Sequence, residues 1–494
     1  MLNTISASEK EILHEIKDRK PESSPVFGNC DDVSCAALFC DIYAPVLCYC
    51  IEMKSWLSYT GEYWKPGRDD SPAHMAVMRF SRALRHYAIG IDSNGTRTPF
   101  QKYCDSLGNN TRRNYVVNDV RTILSKSATL FDQDSCLLNM KNGVIDLRGI
   151  RPGKEPHLTP HRYDQYLMKT TGISYDTTAT APAWEKFIDE ITEGNAEVIQ
   201  YLQTILGKSL IGGNKQDEMY IFAGLGRNGK SVLMGVIPAA FGDVSNPVSS
   251  YTGVIDPEVL AAKKTHDGQK CNPELAKTRG LRLLRTDEPR KDMILDSSLV
   301  KSLLGRDPVS PRDIYSKSIT FVPMFHLFML ANSMPVISDP VVFTSGRVKV
   351  VRFNRVFSEE EQRQDLRDVL EKELPGIMNW LLVGLAIYHQ DKDRIKVPQI
   401  VRQWTEEYSL HSDKIGEFIA EQTRPAPGNN VMVKFFYQHY ASWCKRNGYN
   451  PGSKRSVQET LKLKHMYRPT GTVNKVTVHN IVPDIEIIED PADN

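Results

Sequence analysis

The chain has 494 residues, 40% of them hydrophobic and 25% charged, with 62 Lys and Arg against 60 Asp and Glu for a formal net charge of +2. That length exceeds one ordinary core and predicts about three domains. The composition excludes a largely disordered chain, and the near-neutral balance means that any grip on a polyanion must come from local basic patches.

The opening MLNTISASEKEILHEIKDRK lacks an apolar core, which excludes a secretory signal and predicts a cytoplasmic location. The apolar stretch from Ser34 to Ile51 is interrupted by Asp41 and Pro45, so no membrane span is expected. Cys30 just before it and Cys35, Cys40, Cys48 and Cys50 within it lack paired C-x2-C knuckles, so buried reduced thiols are expected there in place of zinc. Up to about Thr180, helical spacing alternates with turn-rich pieces such as Lys65-Pro66-Gly67, the pattern of a mixed α/β domain. After Pro182, Trp184, Phe187 and Ile188, then Val198, Leu202, Ile205 and Leu206, keep helical spacing and predict a helical collar.

From Glu218 to about Phe353, short apolar runs alternate with polar helical stretches, as in an α/β nucleotide-binding sheet. Ser358-Glu359-Glu360-Glu361 reads as a capping box opening a helix to about Leu374, and Pro375-Gly376 starts another through Trp380 and Ile387. Beyond Pro398, helices are predicted at Val401–Tyr408, Ile415–Glu421 and Val433–Arg446, with a Pro-Gly-Asn break between the last two and β-rich sequence at Val473–Ile488. That order suggests a winged helix, and the acidic tail Asp484–Asp493 reads as flexible and free of DNA. The predicted fold is therefore α/β: an N-terminal mixed α/β accessory domain (1–182), a P-loop AAA+-like motor with its collar (183–375), and a C-terminal winged-helix-like domain (376–494).

Gly224-Leu225-Gly226-Arg227-Asn228-Gly229-Lys230-Ser231 fits G-x4-G-K-[ST] between an apolar strand and an amphipathic helix start. Glycines are needed because backbone amides must approach phosphates closely and some positions require positive φ. The segment Gly224, Gly226, Asn228, Gly229, Lys230, Ser231 and Val232 is thus the predicted nucleotide cradle. Lys230 would reach the β- and γ-phosphates and Ser231 would hold Mg²⁺. About sixty residues on, Leu281–Glu288 reads as a strand ending in two acids. Asp287 is assigned to the metal shell and Glu288 to polarising the attacking water. Phe325–Asn332 is a further apolar strand ending in an amide, which makes Asn332 the candidate γ-phosphate sensor.

Taken together, Gly224–Ser231, Asp287-Glu288 and Ala331-Asn332-Ser333-Met334-Pro335 resemble the superfamily 3 helicase domain of phage and plasmid primase-helicases and poxvirus-type helicases. The segments Leu304–Val309 and Arg312–Lys317 look like that family's lead into a DNA-touching hairpin, which puts Lys317 at the tip with Arg312 beside it. Phe131-Asp132-Gln133-Asp134, Asn142–Leu147 and Trp184-Phe187 resemble the accessory domain preceding the motor. Asp132 and Asp134 belong to that motif and have no companion carboxylate for a polymerase-type metal pair. The resemblance implies ATP and Mg²⁺, single-stranded and forked DNA as the track, 3′ to 5′ movement, a homo-hexameric ring and an arginine supplied by the neighbouring subunit. The family often has a tryptophan and two arginines where this chain reads Thr344–Lys349, so only Arg347 matches, with Arg352 and Arg355 as nearby substitutes. A polymerase domain in front is not expected, which leaves priming to a separate primase.

Between Lys434 and Arg468 there are eight lysines and arginines against the single acid Glu459. Lys454, Arg455, Lys462 and Lys464 are the candidates for touching replication-origin duplex. The expected function is an ATP-hydrolysing replicative DNA helicase of a phage, prophage or mobile element. The alternatives are an ATP-switched origin-binding initiator, and a protein-remodelling AAA+ ATPase using Tyr315 in a pore loop.

Overall fold

Ser8 opens the first helix, α1 (Glu9–Arg19), with a reciprocal capping box to Glu11. The computed structural model describes residues 2–24, 30–67, 69–91, 96–243, 245–246, 248–262, 273–291, 293–311, 320–337, 339, 341–447, 449, 451, 453–473 and 476–488. Next come α2 (Asp32–Tyr43), β1 (Leu47–Cys50), β2 (Ser55–Tyr59), β3 (Trp64–Pro66), α3 (Ser71–Ile89), α4 (Pro99–Ser106), α5 (Asn110–Ile123) and β4 (Ser125–Lys126). The strands form a sheet of order β3-β2-β1-β4, antiparallel except where β4 joins β1. Phe39, Tyr43, Trp56, Trp64 and Phe80 fill a core of its own, within which Cys35, Cys40 and Cys48 are buried. Burial pushes those three thiols up to about 12, so they stay protonated. Among the described residues no group of three or more His, Cys, Asp or Glu could hold a metal ion. No helix among them is long and apolar enough to cross a membrane.

The second core is built on a small antiparallel sheet, β5 (Leu137–Met140), β6 (Gly143–Asp146) and β7 (Leu158–Thr159), and a larger parallel one. Around the larger sheet run α6 (Pro182–Ile191), α7 (Ala196–Lys208), β8 (Met219–Ala223), α8 (Lys230–Ala240), β9 (Thr252–Ile255), α9 (Pro273–Ala276) and β10 (Leu283–Thr286). The chain continues through α10 (Ser297–Leu304), β11 (His326–Ala331), α11 (Val341–Thr344), β12 (Val348–Arg352), α12 (Leu366–Glu371), α13 (Leu374–Gln390) and α14 (Gln399–Ser412). Strand order is β12-β8-β11-β10-β9, every neighbouring pair parallel. All five residues of β8 and all six of β11 are buried, as expected of central strands covered on both faces.

Helices α7 and α13 cross so closely that a Cβ on Gly384 would stand 1.9 Å from Gln203 O, and one on Gly207 2.3 Å from Leu381 O. Gly384→Val should therefore cost about 3 kcal/mol or more, because backbone must move to admit the side chain. A urea melt of the purified variant checks this: an unchanged midpoint would mean that the crossing is looser than described.

The third core follows α15 (Lys414–Gln422), β13 (Thr423–Met432), α16 (Val433–Arg446), α17 (Lys454–Leu463), β14 (Arg468–Val473) and β15 (Val476–Ile487). Phe418, Phe436, Tyr440 and Trp443 pack in it beneath an antiparallel sheet of order β13-β15-β14. It joins the second core through one residue. Asp413 ends α14, caps α15 by accepting from Gly416 N at 2.9 Å, and pairs with Lys464. On the other side of that joint, Tyr408 of α14 donates its hydroxyl to Pro335 O.

The three cores run over Leu2–Met168, Leu138–Tyr408 and Ile415–Ile485. They divide the chain differently from boundaries at 182/183 and 375/376. Leu138, Met140 and Ile145 face the second core, as do Trp380, Trp404 and Tyr408.

Three local expectations change. The Ser358/Glu361 box forms, with Glu361 accepting from Ser358 N at 2.9 Å and Ser358 Oγ from Glu361 N at 3.3 Å, but no helix propagates until Leu366. Glu361 is also held by Arg355, and Gln362 donates back to Phe357 O and Ser358 O, so the segment closes as a turn. The Pro427-Gly428-Asn429 break lies inside β13, where the register shifts between Pro425 and Asn430 and Gly428 takes φ 83°. The start of the acidic tail is ordered to Ile487, because β15 pairs it with β13 and Arg468 reaches Asp484.

Candidate functional site

Where β8 ends, the backbone turns sharply: Gly226, Arg227 and Gly229 have φ of 100°, 49° and 81°. Gly229 is further constrained because a Cβ there would lie 2.4 Å from Ile191 Cγ2, so α6 presses directly on the loop. The neighbouring strands tie the loop down. Gly224 N donates to Ala331 O at 3.1 Å, Asn228 Nδ2 to Phe353 O at 3.3 Å, and Phe357 N to Arg227 O at 2.8 Å. Lys230 then opens α8 and is only 1% exposed.

Its ammonium donates to Gly224 O and, at 2.7 Å, to Asn332 Oδ1. Asn332 in turn donates Nδ2 to Glu288 Oε2 at 2.7 Å. Burial lowers the Lys230 pKa below the ordinary lysine value, and the nearby Glu288 carboxylate opposes that shift. The ends of three parallel strands, β8, β10 and β11, thus deliver a lysine, an acid and an amide into one hydrogen-bonded chain. Gly226, Asn228, Gly229, Lys230, Ser231 and Val232 line a cavity of about 480 Å³ with Glu288 and Asn332. Gly224 lies behind it, holding Lys230 with its carbonyl.

Asp287 does not line that cavity; it is exposed and sits 3.6 Å from Arg285 Nη2, because side chains alternate in direction along an extended segment. Ser231 does line it, exposed in the first turn of α8. Arg347 stands elsewhere. Its carbonyl accepts from Met219 N, so it belongs to the end of the sheet where β8 begins, about 16 Å of extended chain from Gly224. There it lines a second cleft with Lys301 and Arg306 and faces Asp217 Oδ2 at 3.6 Å. Of its proposed substitutes, Arg352 pairs with Glu407, while Arg355 lines the cavity of its own chain and so is misplaced for a neighbour's site.

Arg312, Tyr315 and Lys317 lie outside the described residues. In the third core Lys454 and Arg455 are exposed at the start of α17, with no ion-pair partner among the described residues. Lys462 pairs with Glu459 at 3.0 Å. Lys464 corrects the reading of a free basic face, because the joint carboxylate of Asp413 holds it. The partly buried Asp132 accepts from Met168 N at 2.8 Å, and Asp134 pairs with Arg148, so both are structural. Sequence reasoning overlooked the cavity's apolar wall, formed by Ala183 and Phe187 of α6, Phe357 and Leu366. The only hint was Trp184 and Phe187 at helical spacing, which reads equally as core.

Residues 36–193 match the family described as D5 N terminal like, and residues 410–488 match the one described as Poxvirus D5 protein-like. Two segments of the chain are therefore D5-like. The second D5 segment coincides with the third core, and the first runs from α2 to the end of α6. Between and around them, the "Putative helicase L207/L206" of Acanthamoeba polyphaga mimivirus is 28% identical over 374 residues, 70% of this chain and 37% of that protein. The "Putative helicase 184R" of Invertebrate iridescent virus 6 is 28% identical over 373 residues, 67% of this chain and 37% of that one. The "Putative primase C962R" of African swine fever virus (isolate Tick/Malawi/Lil 20-1/1983) is 22% identical over 339 residues, 64% of this chain and 34% of that one. The chain therefore spans only 37% of the length of each of the first two of these relatives. A solved apo structure of the NrS-1 C terminal region is similar with a TM-score of 0.44 and 10% identity, covering 88% of this chain and 95% of that one.

Proposed function

We propose that this chain is an ATP-hydrolysing motor of a replicative DNA helicase. The observation that carries the reading is the Lys230–Asn332–Glu288 chain beside a glycine loop at the N-terminus of α8. Such a loop accepts a triphosphate on its backbone amides, with the positive end of the helix aimed at it. Lys230 neutralises charge growing on the transferred phosphoryl group, Glu288 orients and polarises the attacking water, and Asn332 fixes the distance between them. For Mg²⁺ the fitting donors are hard oxygens: the Ser231 hydroxyl, which lines the cavity, would hold it, with the Asp287 carboxylate as the second candidate. When bound, the ion supplies charge neutralisation between the β- and γ-phosphates.

Arg347 at the far end of the sheet favours assembly, because only a neighbouring subunit could bring it to a nucleotide. A homo-hexameric ring moving 3′ to 5′ on single-stranded or forked DNA is the arrangement we infer. The defining experiment is ATP hydrolysis with and without single-stranded DNA, alongside strand displacement from a forked duplex. DNA-stimulated hydrolysis with unwinding supports the motor, whereas hydrolysis indifferent to DNA with no unwinding sinks it.

An origin-binding initiator is the second reading, favoured by the α-β-α-α-β-β order of the third core, which is that of a winged helix. Exposed Lys454 and Arg455 on α17 would meet duplex phosphates. Replacing both by alanine should weaken duplex binding alike on all sequences and flatten the salt slope by about one per lost contact. Titrations at several salt concentrations check this, and an unchanged slope would remove these residues from the interface.

A further inference from the structure

The cavity beside Lys230 is larger than a triphosphate site needs, and its wall is apolar as well as polar. Ala183, Phe187, Phe357 and Leu366 supply the apolar wall, from α6, from the segment after β12 and from α12. Phe187 is buried and packed: a Cβ on Gly229 would come 3.2 Å from its ring, so it forms the floor under the loop. Phe357 differs, being only partly buried. Its backbone N–H donates to Arg227 O at 2.8 Å, which anchors its ring to the left-handed residue of the phosphate loop itself. The Arg355 guanidinium lies over one face of the ring, 5.2 Å from its centroid, and lines the same cavity, so a flat ligand must take the opposite face. Phe357 is thus an incompletely covered aromatic ring in the cavity wall, at a fixed offset from the loop.

Resting on the nucleotide reading above, we propose that the free face of Phe357 is the stacking platform for the nucleotide's base, with Arg355 backing the ring on its other face. Rings of every base offer a π-face to an aromatic side chain or a guanidinium. Several polar side chains of the cavity wall already have protein partners. Gln362 donates to Phe357 O and Ser358 O, Arg363 pairs with Asp365, and Lys186 pairs with Glu190. Stacking on Phe357 is therefore the main attraction this wall offers to a base. Tying that ring to Arg227 also means that base and triphosphate are gripped by one connected loop.

The test compares two probes, MgATP and inorganic tripolyphosphate with Mg²⁺, titrated by calorimetry into wild type, Phe357→Ala, Phe357→Leu and Lys230→Ala. The proposal expects wild type to bind ATP about tenfold or more tighter than tripolyphosphate. Phe357→Ala and Phe357→Leu should lose that preference while holding tripolyphosphate as before. Lys230→Ala should weaken both probes. Equal ATP affinity in wild type and both Phe357 variants overturns the platform. So does a parallel loss of both probes in Phe357→Leu, since the ring would then merely shape the loop. If wild type binds neither probe, the nucleotide reading itself falls, and the platform with it.

Discussion

Lys230→Ala is expected to abolish unwinding and to lower ATP turnover by on the order of a hundredfold or more, the usual cost of losing a preorganised group aimed at developing charge. Affinity for the triphosphate should also drop, because a charge-assisted hydrogen bond is worth about 1.5–3 kcal/mol. The side chain is 1% exposed and serves two acceptors, Gly224 O and Asn332 Oδ1, so its removal leaves both without that donor. A stability loss of about 1–3 kcal/mol follows from the same bookkeeping. Turnover should therefore be measured well below the variant's melting point, with circular dichroism confirming the fold. A folded variant that still hydrolyses ATP at the wild-type rate would remove Lys230 from the chemistry.

Glu288→Gln should separate binding from turnover. The amide keeps the side chain's shape and an oxygen that can accept from Asn332 Nδ2, so the hydrogen-bonded chain survives. It cannot act as a base, and turnover should fall by about 10²–10⁴-fold. ATP affinity in the calorimetric titration should remain near that of wild type. Single-turnover hydrolysis distinguishes this from slow product release: an unchanged chemical step would show that another group orients the water.

Much of this site could be read from the chain because each part is local. The glycine loop follows a run of five apolar residues, Met219–Ala223, and the acid and the amide each follow another largely buried strand, Leu283–Thr286 and His326–Ala331. Parallel strands bring their C-terminal ends together, so reading three strand ends amounts to reading one site. What could not be read depends on partners distant in sequence. Lys464 looks like a free lysine until Asp413, 51 residues away, takes it. Arg355 resembles a finger for a neighbour until its turn folds back over the cavity. The Ser358/Glu361 box promised a helix, yet competing side-chain bonds from Arg355 and Gln362 left only a turn. The limits of the cores were hidden for the same reason: β5 and β6 belong with the central sheet by packing, which no turn signal announces.

Asp413 leaves no spacer between the second and third cores. One residue is both the C-cap of α14 and the N-cap of α15, so the two helices meet end to end. Tyr408 on α14 is fastened to Pro335, three residues beyond Asn332. The third core is therefore hinged directly to a helix that is itself fastened beside the amide between Lys230 and Glu288.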